Sequence, residues 1–293
     1  MVFFSPSDSI YLPVLFKSGK MISKIVSRKA LSEQLYKLEI KPSGTFNTFK
    51  SGQYVILRTT DGAAITLPIV KTDAGRETLT VIATSISEKL AELLNPCLSH
   101  IELELEGPFG QPFQIEKFGT VLCVANRESM IPLYPVLAAL KAAGNHITCL
   151  LTGAVSDDQV LENELRNNSD DFISSADNTL RRSSQLLEQT LGSRKYNQVF
   201  TIGSVKTIRE TCTVCKATST PVQAMLYLNE QSQIGLHGIF RVSICANTRA
   251  LCVDGHNFNA YYNSFEELRK RFGNENNEPL RTFNLLSKIS VPV

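Results

Sequence analysis

From Met21 to Leu105 apolar and polar positions largely alternate, as in Tyr36, Leu38, Ile40 and again in Val55, Leu57, while Pro42-Ser43-Gly44, Ser51-Gly52 and Asp61-Gly62 supply turn signals between the runs. Period-two alternation broken by such turns predicts short strands of a small antiparallel barrel. One stretch departs from it: Ser87 to Leu94 (SEKLAELL) places Leu90, Leu93 and Leu94 on one helical face behind a Ser87 cap.

Beyond Gly107-Pro108-Phe109-Gly110 the texture changes to strand, helix, strand: Thr120 to Val124, Ile131 to Ala143, His146 to Leu151. Pro132 near the helix start and Gly144 just past its end punctuate that helix with the expected asymmetry. A second crossover runs through Ser183 to Leu191 into Gln198 to Ile202, and a third through Ile208 to Ala217 into Val222 to Leu228, which predicts a doubly wound parallel sheet. Past Leu228 the pattern is irregular until Phe265, Leu268 and Phe272 share a helical stripe. The expected organisation is an N-terminal extension over 1–20, a barrel over 21–116, an α/β domain over 117–228 and a small lobe over 229–293.

A chain of 293 residues with 43% hydrophobic content is long enough for two packed domains. The 30 Lys+Arg nearly cancel the 28 Asp+Glu, and no basic stripe stands out, which argues against nucleic-acid binding. No apolar run reaches the roughly 18 residues of a membrane span. The first twenty residues lack the basic leader and continuous apolar segment of a signal peptide, and Met21 is an alternative start. Seven scattered cysteines, an odd count set mostly in apolar runs, suit buried thiols in a reducing compartment and point to the cytoplasm.

At Gly235 to Leu268 the order of residues becomes specific. The segment GLHGIFRVSICANTRALCVDGHNFNAYYNSFEEL, with Arg241-Val242 and Cys252-Val253-Asp254-Gly255, resembles the C-terminal part of sulfide dehydrogenase small subunits, the flavin subunit of NADH-dependent ferredoxin:NADP oxidoreductase and the electron-transfer subunit of dihydroorotate dehydrogenase. The likeness extends back through Phe118 to Val124, the IPLYPVLAALKAAGN helix, Gly107 to Gly110, Lys89 to Leu93 and Ser51 to Val55. It implies a ferredoxin-NADP-reductase-like chain: an FAD-binding barrel, an NAD(P)-binding sheet domain and a lobe holding a two-iron cluster. It also implies a partner, a larger flavoprotein subunit of the glutamate synthase small-subunit type.

The residues that would hold those cofactors depart from the family. An arginine that meets the flavin pyrophosphate, in a strand reading R-x-P-L-T-I, is replaced by Ala64 in Ala64-Ile65-Thr66-Leu67-Pro68-Ile69, and Pro68 takes the place of the hydroxyl. Alanine has neither charge nor donor, whereas guanidinium suits two phosphates through its rigid fork of donors. Arg58 and Thr66 are the candidates to compensate. The family's glycine-led phosphate contact at a helix start becomes Ser85-Ile86-Ser87-Glu88, where Ser87 still caps but Glu88 brings a negative charge. The glycine-rich turn of the nucleotide domain becomes Ala125-Asn126-Arg127-Glu128-Ser129-Met130-Ile131-Pro132. There Arg127 is either an anion contact or half of a solvated pair with Glu128. Asp177 survives from a glycine-containing family segment.

In the lobe, His237 and Phe240 stand at paired cysteine positions, and Cys252 is the ligand that remains. His237, Cys245, Cys252 and His256 form an alternative zinc set of unfamiliar spacing. Cys212 and Cys215, three apart in a helix, read as packing rather than as a redox pair. The vestigial positions are therefore Arg58, Ala64, Thr66, Ser87, Arg127 and Asp177 for flavin and nucleotide, and His237 and Cys252 for metal. With four cofactor features eroded in an intact framework, the sequence predicts a pseudoenzyme with no cofactor, a non-redox accessory subunit in which FAD would be the last cofactor to be lost. The alternative is a working NAD(P)H-dependent flavin oxidoreductase subunit with rewired contacts.

Overall fold

The computed structural model describes residues 21–33, 35–44, 49–58, 64–84, 103–110, 112–153, 159–175, 180–227, 241–244, 247–250 and 257–259. The helices expected at Ser87 to Leu94 and Phe265 to Phe272 fall outside them, as do Asp177, His237 and Cys252.

Six antiparallel strands close into a barrel: β1 (Met21–Ala30), β2 (Leu35–Pro42), β3 (Tyr54–Arg58), β4 (Ala64–Asp73), β5 (Thr78–Thr84) and β6 (Leu103–Phe109), in the order β1-β2-β5-β4-β3-β6. Leu38, Ile40, Val55, Leu57, Leu67, Ile69, Leu79 and Val81 fill the interior, and alternation puts Tyr54, Ile56 and Arg58 of β3 on the outer face. The second domain is built on β7 (Thr120–Asn126), α1 (Met130–Ala142), β8 (His146–Thr152), α2 (Gln159–Asn167), β9 (Asp171–Ser175), α3 (Leu180–Ser193), β10 (Gln198–Gly203), α4 (Val205–Ala217) and β11 (Val222–Leu226). Its strands lie parallel in the order β11-β10-β7-β8-β9. The hydrophobic pattern did not predict α2 or β9. It also gave no strand past Leu228, where the structure has a hairpin of β12 (Arg241–Ile244) and β13 (Asn247–Ala250), and β14 (Asn257–Asn259) added antiparallel to β11. Among the described residues no helix is long and apolar enough to cross a membrane.

The sheet is covered on both sides. Val121, Cys123 and Ala125 pack with Leu133, Val136 and Leu137 of α1 and Leu161 and Leu165 of α2. Leu122 and Val124 face Leu187 and Leu191 of α3 and Ile208, Cys212 and Cys215 of α4. Helix α1 stops in a Schellman turn: Gly144, at φ +78, donates to the Lys141 carbonyl, and Asn145 N–H reaches the Leu140 carbonyl at 3.2 Å. The Asn145 side chain ties this turn to the interdomain segment, accepting from Phe118 and Gly119 N–H and donating to the Glu116 and Leu140 carbonyls.

The two domains share a core. Leu35 and Ile82, on the outer face of the barrel, belong to the same buried cluster as α1 and the sheet. Phe200, fully buried in β10, takes Phe113 and Phe118 edge-on at centroid distances of 5.6 and 5.7 Å. Gln114 and Gln223 exchange two hydrogen bonds, and Ser51 Oγ donates to the Pro135 carbonyl at 3.0 Å. Phe200→Ala removes the aromatic centre of this junction and is expected to destabilise the protein by about 3–5 kcal/mol, read as a lower urea midpoint; a loss under about 1 kcal/mol would contradict a junction that depends on Phe200.

Candidate functional site: a cleft between barrel and sheet

The parallel strand order reverses between β7 and β10: the chain runs outward from β7 through β8 to β9, then returns to β10 on the other side. Crevices beyond the carboxyl ends of strands at such a point are where open α/β sheets receive ligands. Here the barrel stands over that end, and a cleft open to solvent lies between them. The barrel contributes Tyr54, Thr66 and Pro68, α1 contributes Pro132 and Pro135, and the end of β11 contributes Met225 with Tyr227 beyond it.

Each wall has a local cause. Pro132 and Pro135 are three residues apart, so they share one face of α1, and Pro135 lacks the N–H of a helical bond. Tyr54 pairs across strands with Pro68 on one side and Phe109 on the other, and its ring lies 5.8 Å from that of Phe109. Gly52, which also lines the cleft, has φ +95, and a Cβ there would meet the Phe113 ring at 3.0 Å, so only glycine lets the turn pack this closely against the interdomain segment. The walls are mostly apolar, with the Thr66 hydroxyl as a polar group; among the described residues it has no hydrogen-bond partner.

The outer face of β3 and β4 runs on beyond the cleft residues Tyr54, Thr66 and Pro68. Register places Tyr54 beside Pro68, Ile56 beside Thr66 and Arg58 beside Ala64, a stripe of three cross-strand pairs leading away from the sheet domain. At its far end Arg58 Nε donates to Glu106 Oε1 at 2.7 Å, both side chains being largely buried. Thr66 thus lines the cleft, whereas Arg58 and the backbone of Ala64 lie further along the same outer face.

Arg127 is elsewhere. It sits in the 3₁₀ turn Arg127–Ser129 after β7 and is only 8% exposed. Its Nε donates to the Gly153 carbonyl at 3.1 Å and its Nη1 pairs with Glu162 of α2. The solvated pair with Glu128 is thus corrected: Glu128 is reached by Asn126 Nδ2, and Arg127 is a buried clamp between the β7 turn, the end of β8 and α2. Ser129 Oγ donates to Asn126 Oδ1, which in turn lies 2.8 Å from where a Cβ on Gly203 would stand. Side chains fill the turn in which the family leaves bare backbone, and they are bonded to one another. Ser87 lies outside the described residues.

The cysteines within the described residues, Cys123, Cys149, Cys212 and Cys215, are buried and form no disulfide. Burial pushes the Cys149, Cys212 and Cys215 thiols up to about 12, with nearby Glu162 adding to the rise at Cys149 and Cys215 to that at Cys212. They are neutral packing groups at physiological pH, as the helical spacing of Cys212 and Cys215 implied. Because their folded values lie above the ordinary thiol value, the stability tied to the neutral form is intact below about pH 9 and declines above it.

A closed antiparallel barrel beside a doubly wound sheet, with a cleft at the switch point, is the two-domain fold of ferredoxin-NADP-reductase-like proteins. No protein-family model matches the chain. The dihydroorotate dehydrogenase B (NAD(+)) electron transfer subunit homolog of Thermotoga maritima is 24% identical over 257 residues, covering 86% of this chain and 91% of that protein. Among solved structures, the NADH-dependent reduced ferredoxin-NADP oxidoreductase studied for flavin-based electron bifurcation matches with a TM-score of 0.69 at 23% identity, over 86% of this chain and 93% of the other. Ferredoxin-NADP+ reductase from Plasmodium falciparum matches with a TM-score of 0.52 at 16% identity, over 73% and 98%. The chain is a homologue of the ferredoxin-NADP-reductase-like electron-transfer subunits.

These findings overturn the expectation of a chain without cofactors. The relatives are named for NAD(+), NADH or NADP+ and, in the bifurcating enzyme, for flavin-based chemistry, and the cleft that goes with the fold is present here. The physical reason for the error is that each missing family residue was counted separately as a lost contact. A strand exposes its neighbours as well as itself, and the register sets Arg58 directly across from the position where the family's arginine is missing.

The clamp at Arg127 is testable. Removing one member of a buried ion pair leaves the other uncompensated, so Glu162→Ala is expected to cost about 3 kcal/mol in chemical denaturation. A change within about 0.5 kcal/mol, typical of surface sites, would show that the pair does not hold the turn.

Proposed function

We propose that the protein is the flavin-carrying electron-transfer subunit of a larger oxidoreductase, taking reducing equivalents from a reduced nicotinamide dinucleotide and passing them to a partner subunit. The observation that carries this reading is the cleft itself: mostly apolar walls from β3, β4, α1 and β11, the Thr66 hydroxyl among them, and a position where the barrel meets the carboxyl ends of β7, β10 and β11. The residues present fit a planar heteroaromatic ring with an anionic tail. Tyr54, braced by Phe109, and Pro68 form one wall, the α1 prolines another, and Thr66 supplies a hydrogen bond that fixes orientation. Bound FAD would supply the chemistry that links a two-electron hydride donor to single-electron acceptors.

The chain's own part is to hold, orient and shield. The common core of barrel and sheet keeps the cleft walls in place, and the apolar prolines and Met225 restrict water around the ring. Over the ends of β7 and β10, Ser204 caps α4 by accepting from Thr207 N–H, and that helix terminus would favour the phosphates of a nicotinamide nucleotide. We take residues 21–116 and 117–228 as the two working domains and 229–293 as the appended lobe. The partner in this reading is a larger flavoprotein subunit of the glutamate synthase small-subunit type, and the setting is the cytoplasm.

Full-length protein purified without denaturation is expected to be yellow, with flavin absorption bands that bleach on anaerobic addition of NADH or NADPH. A colourless protein that takes up no added FAD would contradict this function and return the chain to a non-redox role.

A further inference from the structure

We infer that Arg58, steered by Glu106, is the anion anchor for the flavin's phosphate tail, and so the residue that makes the cleft prefer FAD to a phosphate-free flavin. This rests on the flavin reading of the cleft. It goes further in assigning the charge recognition to a residue on β3 rather than to β4.

Three observations point the same way. First, Arg58 belongs to the outer stripe that includes the cleft residues Tyr54, Thr66 and Pro68. At about 3.3 Å per residue it stands roughly 13 Å along β3 from Tyr54. A five-carbon chain carrying two phosphates spans about 10 Å at ordinary bond lengths, so a ring held at Tyr54 and Pro68 brings its phosphates within reach of a long side chain at that end. Second, Arg58 is the cation of this stretch of the outer face: register sets it across from position 64 on β4 and from the exposed Glu104 on β6. Third, Arg58 gives its Nε to Glu106 at 2.7 Å, and among the described residues nothing accepts from its two Nη groups. The Nε–H bond fixes the plane of the guanidinium and leaves the Nη donors for a ligand, the form suited to phosphate oxygens.

The Glu106 carboxylate makes the assignment specific. It orients the fork, yet its charge opposes a bound phosphate, so the two roles separate on substitution. Glu106→Gln keeps an acceptor for Nε and removes the opposing charge. Adding Arg58→Gln to that background leaves no buried charge unpaired.

The test titrates full-length protein, freed of endogenous flavin, with FAD and in parallel with riboflavin, by calorimetry and flavin fluorescence, for the unmodified chain, Glu106→Gln and the double variant Arg58→Gln/Glu106→Gln. Glu106→Gln is expected to bind FAD at least as tightly as the unmodified chain. The double variant is expected to bind FAD about 10- to 100-fold more weakly than Glu106→Gln, the range for one lost charge-assisted contact, and to lose the salt dependence of FAD affinity. Riboflavin affinity should stay within about twofold throughout, which also shows that the variants fold. FAD affinity unchanged by the loss of Arg58 would overturn the assignment, and so would an equal loss for riboflavin, since Arg58 would then be supporting the cleft rather than reading an anion. Failure of the unmodified chain to bind either flavin would instead remove the flavin reading itself and this inference with it.

Discussion

The shared hydrophobic core between barrel and sheet is the constraint on which the rest of this structure depends. A barrel normally buries its interior and leaves its outer face wet, and here Leu35 and Ile82 carry that outer face into the cluster built on α1, β7 and β10. Phe200 is the pivot, gripped by Phe113 and Phe118 from the segment that joins the domains. Because the junction is packed as a core, the cleft beside it has walls from both domains at fixed separation, and the turn at Gly52 can lie against Phe113 without a side chain between them. A hinge made only of polar contacts would not hold Tyr54 and Pro135 on opposite sides of one small site.

Chemistry then distributes itself along that fixed frame. The carboxyl ends of β7, β10 and β11 supply helix termini and the apolar floor, while the outer stripe of β3 and β4 supplies a hydroxyl at Thr66 and a cation at Arg58. The turn after β7 is closed by its own side chains: Arg127 is buried against Glu162 and the Gly153 carbonyl, and Ser129 is bonded to Asn126. In this chain the framework of the fold persists, while side chains occupy the turn after β7.

Much of the architecture was legible in the sequence because it follows from short-range pattern. Alternation around Leu38, Ile40, Val55 and Leu57 is enough to predict barrel strands, and Pro132 with Gly144 brackets α1 closely. Helix α2 was missed because QVLENELRN carries only Leu161 and Leu165 as buried anchors in a polar segment, and β9 because an edge strand such as DFISS needs only one partner and little hydrophobicity. The site was harder for a different reason. That Arg127 would be paired depends on Glu162, 35 residues away, and that Arg58 stands beside Ala64 depends on a hairpin register. Neither relation leaves a local signal. The sequence offers Arg58 as a candidate, and only the register shows that it stands across from position 64.

The most direct test of the account is native mass spectrometry of the full-length protein purified under mild conditions from the cell that makes it. The account predicts a chain carrying the added mass of one FAD, found in part in a complex with a larger subunit. A population consisting only of bare, uncomplexed chain, unchanged after incubation with FAD, would contradict it.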